Sequence, residues 1–296
     1  MSCQCVLPTR TSMHLLDLPY ELLSYIIHFS DLDTLRALCL TEKHIIHHIA
    51  RPFLWRNITV IFDIHQNPRP NLFSLDSGRL AAIRSLSIIF PEYFDLHSPS
   101  FAPVFAQMIN VNYIRVSSGS GPFIRVILEN TMASLLTLEL DRCNADPQDF
   151  TDMVPVTLRD LCISRCHPNL RFLLGPLNVE ELEVHGPSLN GECMPIGVTL
   201  RRLTDTHLGR MQRLCLVDTC RDAGCRDVLH LAHALERHFL SLEELILDLP
   251  LSQDTHQKLL RLIPSFPVLK KSYIVSRANE TSLGNFLSLL PYQKSD

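Results

Sequence analysis

The chain has 296 residues, of which 46% are hydrophobic and 20% charged, with only 10 glycines; this composition suits one or two globular domains and excludes a disordered or fibrous chain. A formal net charge of −4 without any basic run argues against nucleic-acid binding, which rests on clustered Lys and Arg. No apolar run approaches the ~18 residues of a membrane span, so neither nucleic acid nor membrane is an expected partner.

The opening MSCQCVLPTRTSMHLL lacks the apolar core and small-residue cleavage site of a secretory signal, and residues 1–12 are expected to form a disordered tail. Without a signal, the sequons at Asn57 and Asn279 carry no weight. The ten cysteines then read as reduced, mostly buried thiols of a cytoplasmic or nuclear protein.

The first element is predicted in DLPYELLSYII, Asp17 to Ile27. Pro19 suits the first turn of a helix, and Glu21 is favoured there by the helix dipole. At about 100° per residue, Leu18, Leu22, Tyr25 and Phe29 form one stripe. Tyr20, Leu23, Ile26 and Ile27 carry the apolar surface round, leaving Glu21, Ser24 and His28 as a polar strip. The apolar arc is about 200°, roughly twice what one core needs, so this helix is expected to serve two apolar surfaces. A second helix follows in DLDTLRALCL, capped by Ser30 or Asp31, with Leu32, Leu35, Leu38 and Cys39 as its apolar face. A third, EKHIIHHIA, is capped by Thr41, buries Ile45, Ile46 and Ile49, and is stopped by Pro52. FLWRNITVIF then turns β-branched and reads as extended. Three short helices in about 45 residues are near the lower limit for an independent core.

Leu18-Pro19, Glu21-Leu22-Leu23, Ile26-Ile27, the DLDTLRAL helix and the closing Leu54-Trp55-Arg56 occur in the order in which an F-box carries them. Residues 13–60 resemble that family. The resemblance implies docking of a Skp-type adaptor, which links the chain to a cullin. Carried over position by position, it assigns adaptor contacts to Leu18, Pro19, Leu22 and Ile26, then to Leu35 and Trp55. An ordinary N-terminal helical cap on the rest of the chain remains open as the alternative.

From Ile83 onward one pattern recurs: apolar, two residues, apolar, one residue, apolar. It reads IRSLSI, VNYIRV, LLTLEL, LRDLCI, VEELEV, MQRLCL, LEELIL and a degenerate LKKSYI. First positions are Ile83, Val111, Leu135, Leu158, Val179, Met211, Leu242 and Leu269, at steps of 28, 24, 23, 21, 32, 31 and 27 residues. Leucine-rich repeats run at about 20–29 residues with this core. Cys143 and Cys166 fall where that repeat places Asn or Cys, to bond the turning backbone. The stretches SPSFAPVFAQMIN, GPFIRVILENTM, CRDVLHLAHALERHF and SQDTHQKLLRLI read as helices between strands. His185 to Arg210 reads as a long loop with a short helix. The expected fold class is therefore α/β: an N-terminal three-helix F-box (13–60), then a curved leucine-rich-repeat solenoid with a parallel strand face (61–296). An ordinary α/β domain shares the same alternation and stays open.

Catalytic patterns are not evident. SSGSG at Ser117–Gly121 fits neither a nucleophile elbow nor a phosphate loop and reads as a flexible turn after a strand. The loose groups His44/His47/His48, Cys162/Cys166/His167 and His230/His233/His238 lack zinc-finger spacing. No cofactor, metal or catalysis is expected. Function is expected in two contact surfaces, the second being the strand face that would capture a protein target: Tyr113, Arg115, Glu139, Asp141, Asp160, Glu181, Glu183, His185, Arg213, Glu244 and Asp248. With strands about 4.8 Å apart, Glu139, Asp160, Glu181 and Glu183 are expected to form an acidic patch that favours a basic or mixed-charge segment. The combined reading is a non-catalytic substrate-recognition subunit of an SCF-type ubiquitin ligase. A scaffold that binds without driving ubiquitination, and a hydrolase or metalloenzyme on an α/β fold, are the alternatives.

Overall fold

A computed structural model describes residues 15, 18–41, 45–63, 68–91, 101–187, 190–203, 209–220 and 226–276. The chain divides into two compact units, Met1–Asn57 and Ile58–Asp296. The division falls three residues before the expected 60/61 boundary, because Ile58 and Val60 belong to the sheet core of the second unit. The expected tail, 1–12, lies outside the described residues.

The first unit holds three helices: α1 (Tyr20–Phe29), α2 (Leu32–Thr41) and α3 (Ile45–Leu54). Asp31, not Ser30, caps α2: its Oδ1 accepts the Thr34 N–H at 2.7 Å. That N–H and the Thr34 hydroxyl hold the Asp31 carboxyl below its usual range. Thr41 is the last residue of α2, and the expected cap of α3 leads into residues 42–44, outside the described ones. Pro52 does not stop α3, which runs on to Leu54. Proline forfeits one N–H, and the last turn closes through Trp55 N–H to Pro52 O at 3.3 Å and Arg56 N–H to Phe53 O at 3.2 Å. Leu23, Ile27, Leu35, Ile49 and Ala50 form a small core, with Leu18, Leu38, Cys39, Phe53 and Leu54 packed around it.

The second unit is mixed α/β. Ten strands form one sheet in the order β10-β9-β8-β7-β6-β5-β4-β3-β1-β2. They are β1 (Asn57–Phe62), β2 (Pro68–Arg69), β3 (Ser85–Ile89), β4 (Tyr113–Ser117), β5 (Thr137–Asp141), β6 (Val156–Ser164), β7 (Leu177–His185), β8 (Arg213–Val217), β9 (Glu244–Leu249) and β10 (Lys271–Ser276). From β3 to β10 every strand pairs in parallel with the next one in sequence, while β1 and β2 pair antiparallel. All eight predicted apolar segments thus become neighbouring strands. In the first seven the fourth and sixth positions, such as Leu138 and Leu140, are buried in one continuous core; in the eighth Ile274 joins it and Ser272 is half-buried.

Connections between strands carry the helices α4 (Ser77–Ala82), α5 (Ala102–Ala106), α6 (Gly121–Thr131), α7 (Ile196–Arg202), α8 (Arg226–His238) and α9 (Gln253–Leu262). The four stretches read as helical hold α5, α6, α8 and α9, and α7 lies in the long connection after His185. Between β5 and β6, and between β6 and β7, short 3-10 helices suffice (Pro147–Phe150 and Pro168–Leu174), which is why those steps are the shortest. Phe62, Phe90, Phe101, Phe105 and Phe123 pack mostly edge to face at the β1 end, with Phe62 stacked on Phe90 and centroids 4.5–6.2 Å apart.

Parallel sheets covered on both faces carry nearly continuous apolar strands. Here the strands alternate, as in the half-buried Thr137, buried Leu138, half-buried Glu139 and buried Leu140 of β5. One face is core and the other keeps polar side chains.

Candidate interaction surfaces

On α1 the core takes Leu23 and Ile27, one helical turn apart. The rest of the apolar arc stays open: Tyr20 is 65% exposed, Leu22 51%, Tyr25 65%, Ile26 42% and Phe29 69%. Leu22, Tyr25, Ile26 and Phe29 have the i, i+3, i+4, i+7 spacing of a second stripe. Tyr25 and Phe29 lean on each other at 4.7 Å, and His28 meets Phe53 edge-on at 5.9 Å. Of the residues assigned to adaptor contact, Pro19, Leu22 and Ile26 are exposed. Leu18 is half-buried against the three-helix core and Trp55 is half-buried. Leu35 is a correction: it is 5% exposed inside that core, because its helix turns the Leu35/Leu38/Cys39 face inward. Tyr20, Tyr25 and Phe29 were legible in the same periodicity but were not assigned to contact.

The open face of the sheet is organised in rows across the strands. One row reads Ser85, Tyr113, Thr137, Asp160, Glu181, Arg213, Glu244 and Lys271; the next reads Ser87, Arg115, Glu139, Cys162, Glu183, Cys215, Ile246 and Tyr273. The third runs through Ser117, Asp141, Ser164, His185, Val217 and Asp248. All eleven residues expected on this face therefore lie in register on one side of the sheet.

The expected acidic patch is instead an ionic lattice. Arg213 sits 2.9 Å from Glu183, 3.3 Å from Glu244 and 4.0 Å from Glu181. Arg159 lies 3.2 Å from Asp160, whose Oδ2 also accepts the Thr137 hydroxyl at 2.8 Å, and Arg115 lies 3.9 Å from Glu139. Glu139, Asp141, Asp160, Glu181, Glu183 and Glu244 thus each lie within 4.0 Å of an arginine, so most of the negative charge on this face is paired. Partial burial works against the Glu183 charge, yet hydrogen bonds from His185 and Arg213 hold its carboxyl below the usual range. Burial and the neighbouring Glu139 push the Tyr113 hydroxyl up. Burial, then Glu183, raise the Cys162 thiol to about 12 and the Cys215 thiol to about 11.

Asp141 is a second correction. Its side chain is only 8% exposed, because Arg165 donates to Oδ1 at 2.7 and 3.0 Å and Arg142 to Oδ2 at 3.2 Å. Both arginines lie two positions past the last core residue of their strand, in left-handed backbone. The same position is left-handed in five consecutive units: Ser118 (φ 59°), Arg142 (54°), Arg165 (54°), Gly186 (66°) and Asp218 (51°). Each donates its N–H across to the next strand: Ser118 to Asp141, Arg142 to Ser164, Arg165 to His185, Gly186 to Val217 and Asp218 to Asp248. The next residue turns inward. Cys143 and Cys166 are buried there, as expected: Cys143 Sγ faces Val116 O and Asp141 O at 3.5 Å, and Cys166 Sγ faces Ser164 O at 3.2 Å. Burial raises the Cys166 thiol well above its usual value.

The SSGSG segment is a packed turn, unlike the flexible one expected. Gly119 and Gly121 are buried, and a Cβ on Gly121 would lie 2.0 Å from Asp149 Oδ2 and 2.9 Å from Ala145 Cβ. The fold also splits the Cys162/Cys166/His167 group, sending Cys162 to the open face and Cys166 to the core. His230 pairs with Arg201 at 2.8 Å and His233 with Glu236 at 3.8 Å; the side chains of His44, His47, His48 and His238 lie outside the described residues. No helix among the described residues is long and apolar enough to cross a membrane. Neither protein-family models nor curated protein sequences give a match to this chain.

Proposed function

We propose that the chain is the substrate-recognition subunit of an SCF-type ubiquitin ligase. Its first unit is read as an F-box that docks a Skp-type adaptor and, through it, a cullin; its second is read as a leucine-rich-repeat solenoid that holds a protein target on the open strand face. The observation that carries this reading is the unburied apolar stripe of α1, Leu22, Tyr25, Ile26 and Phe29, opposite the stripe its own core uses. Soluble monomers rarely leave such a contiguous apolar patch in water. In-register parallel strands at near-repeat spacing support the second part. The chain itself contributes proximity: it raises the concentration of target lysines near a loaded ubiquitin carrier, and the chemistry belongs to its partners.

The test is co-purification of a Skp-type adaptor with Leu22→Asp/Ile26→Asp. Burying a Leu or Ile is worth at least ~1.5 kcal/mol, so losing two weakens adaptor binding by more than ~100-fold before the cost of burying carboxylates is added. Both side chains are exposed in the chain alone, so its circular dichroism stays near wild type. Undiminished adaptor binding makes the F-box reading untenable. Cullin-dependent ubiquitination of a captured protein then separates a receptor from a scaffold.

A further inference from the structure

Folding gives Cys162 new neighbours. On β6 it stands in register with Glu183 of β7, and His185 lies two residues further on the same face of β7. The Cys162 Sγ, a Glu183 carboxylate oxygen and a His185 ring nitrogen all lie within 4.8 Å of one another. His185 Nε2 already meets Glu183 Oε1. Three donors of three kinds thus converge above one pair of strands, half-exposed to solvent. It is the one group of three such ligands among the described residues.

We propose that Cys162, Glu183 and His185 form a binding site for a thiophilic divalent transition metal of the zinc class. Thiolate and imidazole select such ions over calcium or magnesium, which take oxygen ligands. Ligands on one tetrahedral zinc stand about 3.3–3.8 Å apart, given bonds of about 2.0–2.3 Å, so rotation of the side chains by roughly an ångström closes the site. Adjacent parallel strands hold the three Cα atoms in fixed positions, which spares the ordering cost of a loop site. Arg213 holds Glu183 Oε2 at 2.9 Å and leaves Oε1 to the ion; contacts of this outer kind orient ligating carboxylates. Three protein ligands leave a fourth position open to water, the arrangement of a reactive or exchangeable site, whereas structural zinc sites are closed by four. Binding releases the Cys162 thiol proton to solvent, while a neutral imidazole ligates through its lone-pair nitrogen and keeps its one N–H, with no change of oxidation state. Cys215, the register partner of Glu183 on β8, lies on the far side of that residue and outside the group.

This site does not depend on adaptor or target binding, and neither enters its test. The purified full chain, kept reduced with a phosphine, is titrated with Co²⁺ alone. One equivalent should produce a thiolate-to-cobalt charge-transfer band in the near ultraviolet and intense visible bands of a four-coordinate ion, and Zn²⁺ should bleach both. Cys162→Ser should remove the charge-transfer band. His185→Ala should weaken Co²⁺ binding by more than the roughly 10–100-fold that loss of an outer contact causes. Cys215→Ser should keep the wild-type spectrum. Far-UV circular dichroism checks each fold, and His185→Gln replaces His185→Ala if the smaller side chain perturbs the sheet. A folded wild-type chain without the band, or a band that survives Cys162→Ser, overturns the proposal.

Discussion

Asp141 carries more structure than its position in a strand suggests. Strand alternation puts it on the open face, and by that rule it was expected to meet a target. Two arginines from the turns that follow β5 and β6 cover it instead. Arg142 and Arg165 both have left-handed backbone, which disfavours a side-chain-bearing residue by about 1–2 kcal/mol. Their guanidinium contacts to one nearly buried carboxylate offset that strain. Replacing Asp141 with Ala leaves the strain and removes the charge-assisted bonds. The expected loss is about 1–3 kcal/mol in urea unfolding, with Asp141→Asn in between, because an amide oxygen still accepts one bond. Wild-type stability for Asp141→Ala would show that the arginines find equal partners in water. Gly186 occupies the equivalent turn without strain and without a side chain to offer.

At the scale of elements, α7 and α8 cross where Gly197 sits. The Asp227 carboxylate accepts the Val198 N–H at 2.8 Å and the Gly197 N–H at 3.0 Å, closing the start of α7 from the neighbouring helix. Burial pushes that carboxyl up, against these two donors. A Cβ on Gly197 would lie 2.1 Å from Asp227 O and 2.7 Å from Leu231 N, both backbone atoms that cannot rotate away. Gly197→Ala should therefore force the helices apart and cost about 1–3 kcal/mol or more, although alanine is the better helix former by about 1 kcal/mol. Chemical denaturation reads the sign, and a stabilised variant would mean the crossing is looser than drawn. The short helix was legible in its sequence. Its partner was not, because close backbone approach leaves no periodic trace beyond a glycine. Similarly, α1 was legible with both of its apolar stripes, but the fate of Pro52 was not, since one missing N–H is tolerated in a last turn.

For the whole molecule, the proposal assigns adaptor and target to separate surfaces, so each is expected to fail alone. Glu139→Lys/Asp160→Lys/Glu181→Lys turns the sheet face strongly basic and should abolish target capture while adaptor co-purification stays at wild-type level. Because these carboxylates already have cations within 4 Å, capture by the wild-type chain should depend only weakly on salt: half-exposed pairs are worth about 0.2–1 kcal/mol each and a partner exchanges one for another. Pull-down from lysate at two ionic strengths measures both effects. Capture of the same proteins by the triple variant would move the target site off the sheet, first to the connection between His185 and Arg210.

The parallel order of the strands and the inward turn of Cys143 and Cys166 were expected from the repeat pattern, while the spacing of apolar residues alone indicated the three short helices, the eight strand segments and which side chains share the open face. These follow from local periods, 3.6 for a helix and 2 for a strand, combined with a core that must be buried. Register and neighbours across strands were decided only by tertiary structure. Pairing Glu181, Arg213 and Glu244 in one row turned an expected acidic patch into an ion-paired lattice. Pairing Cys162 with Glu183 assembled donors that stand more than twenty residues apart in the chain, while Cys166, four residues from Cys162, went to the core. Charge and ligand chemistry depend on distance in space, and side chains on adjacent strands approach within about 5 Å whatever their separation in sequence.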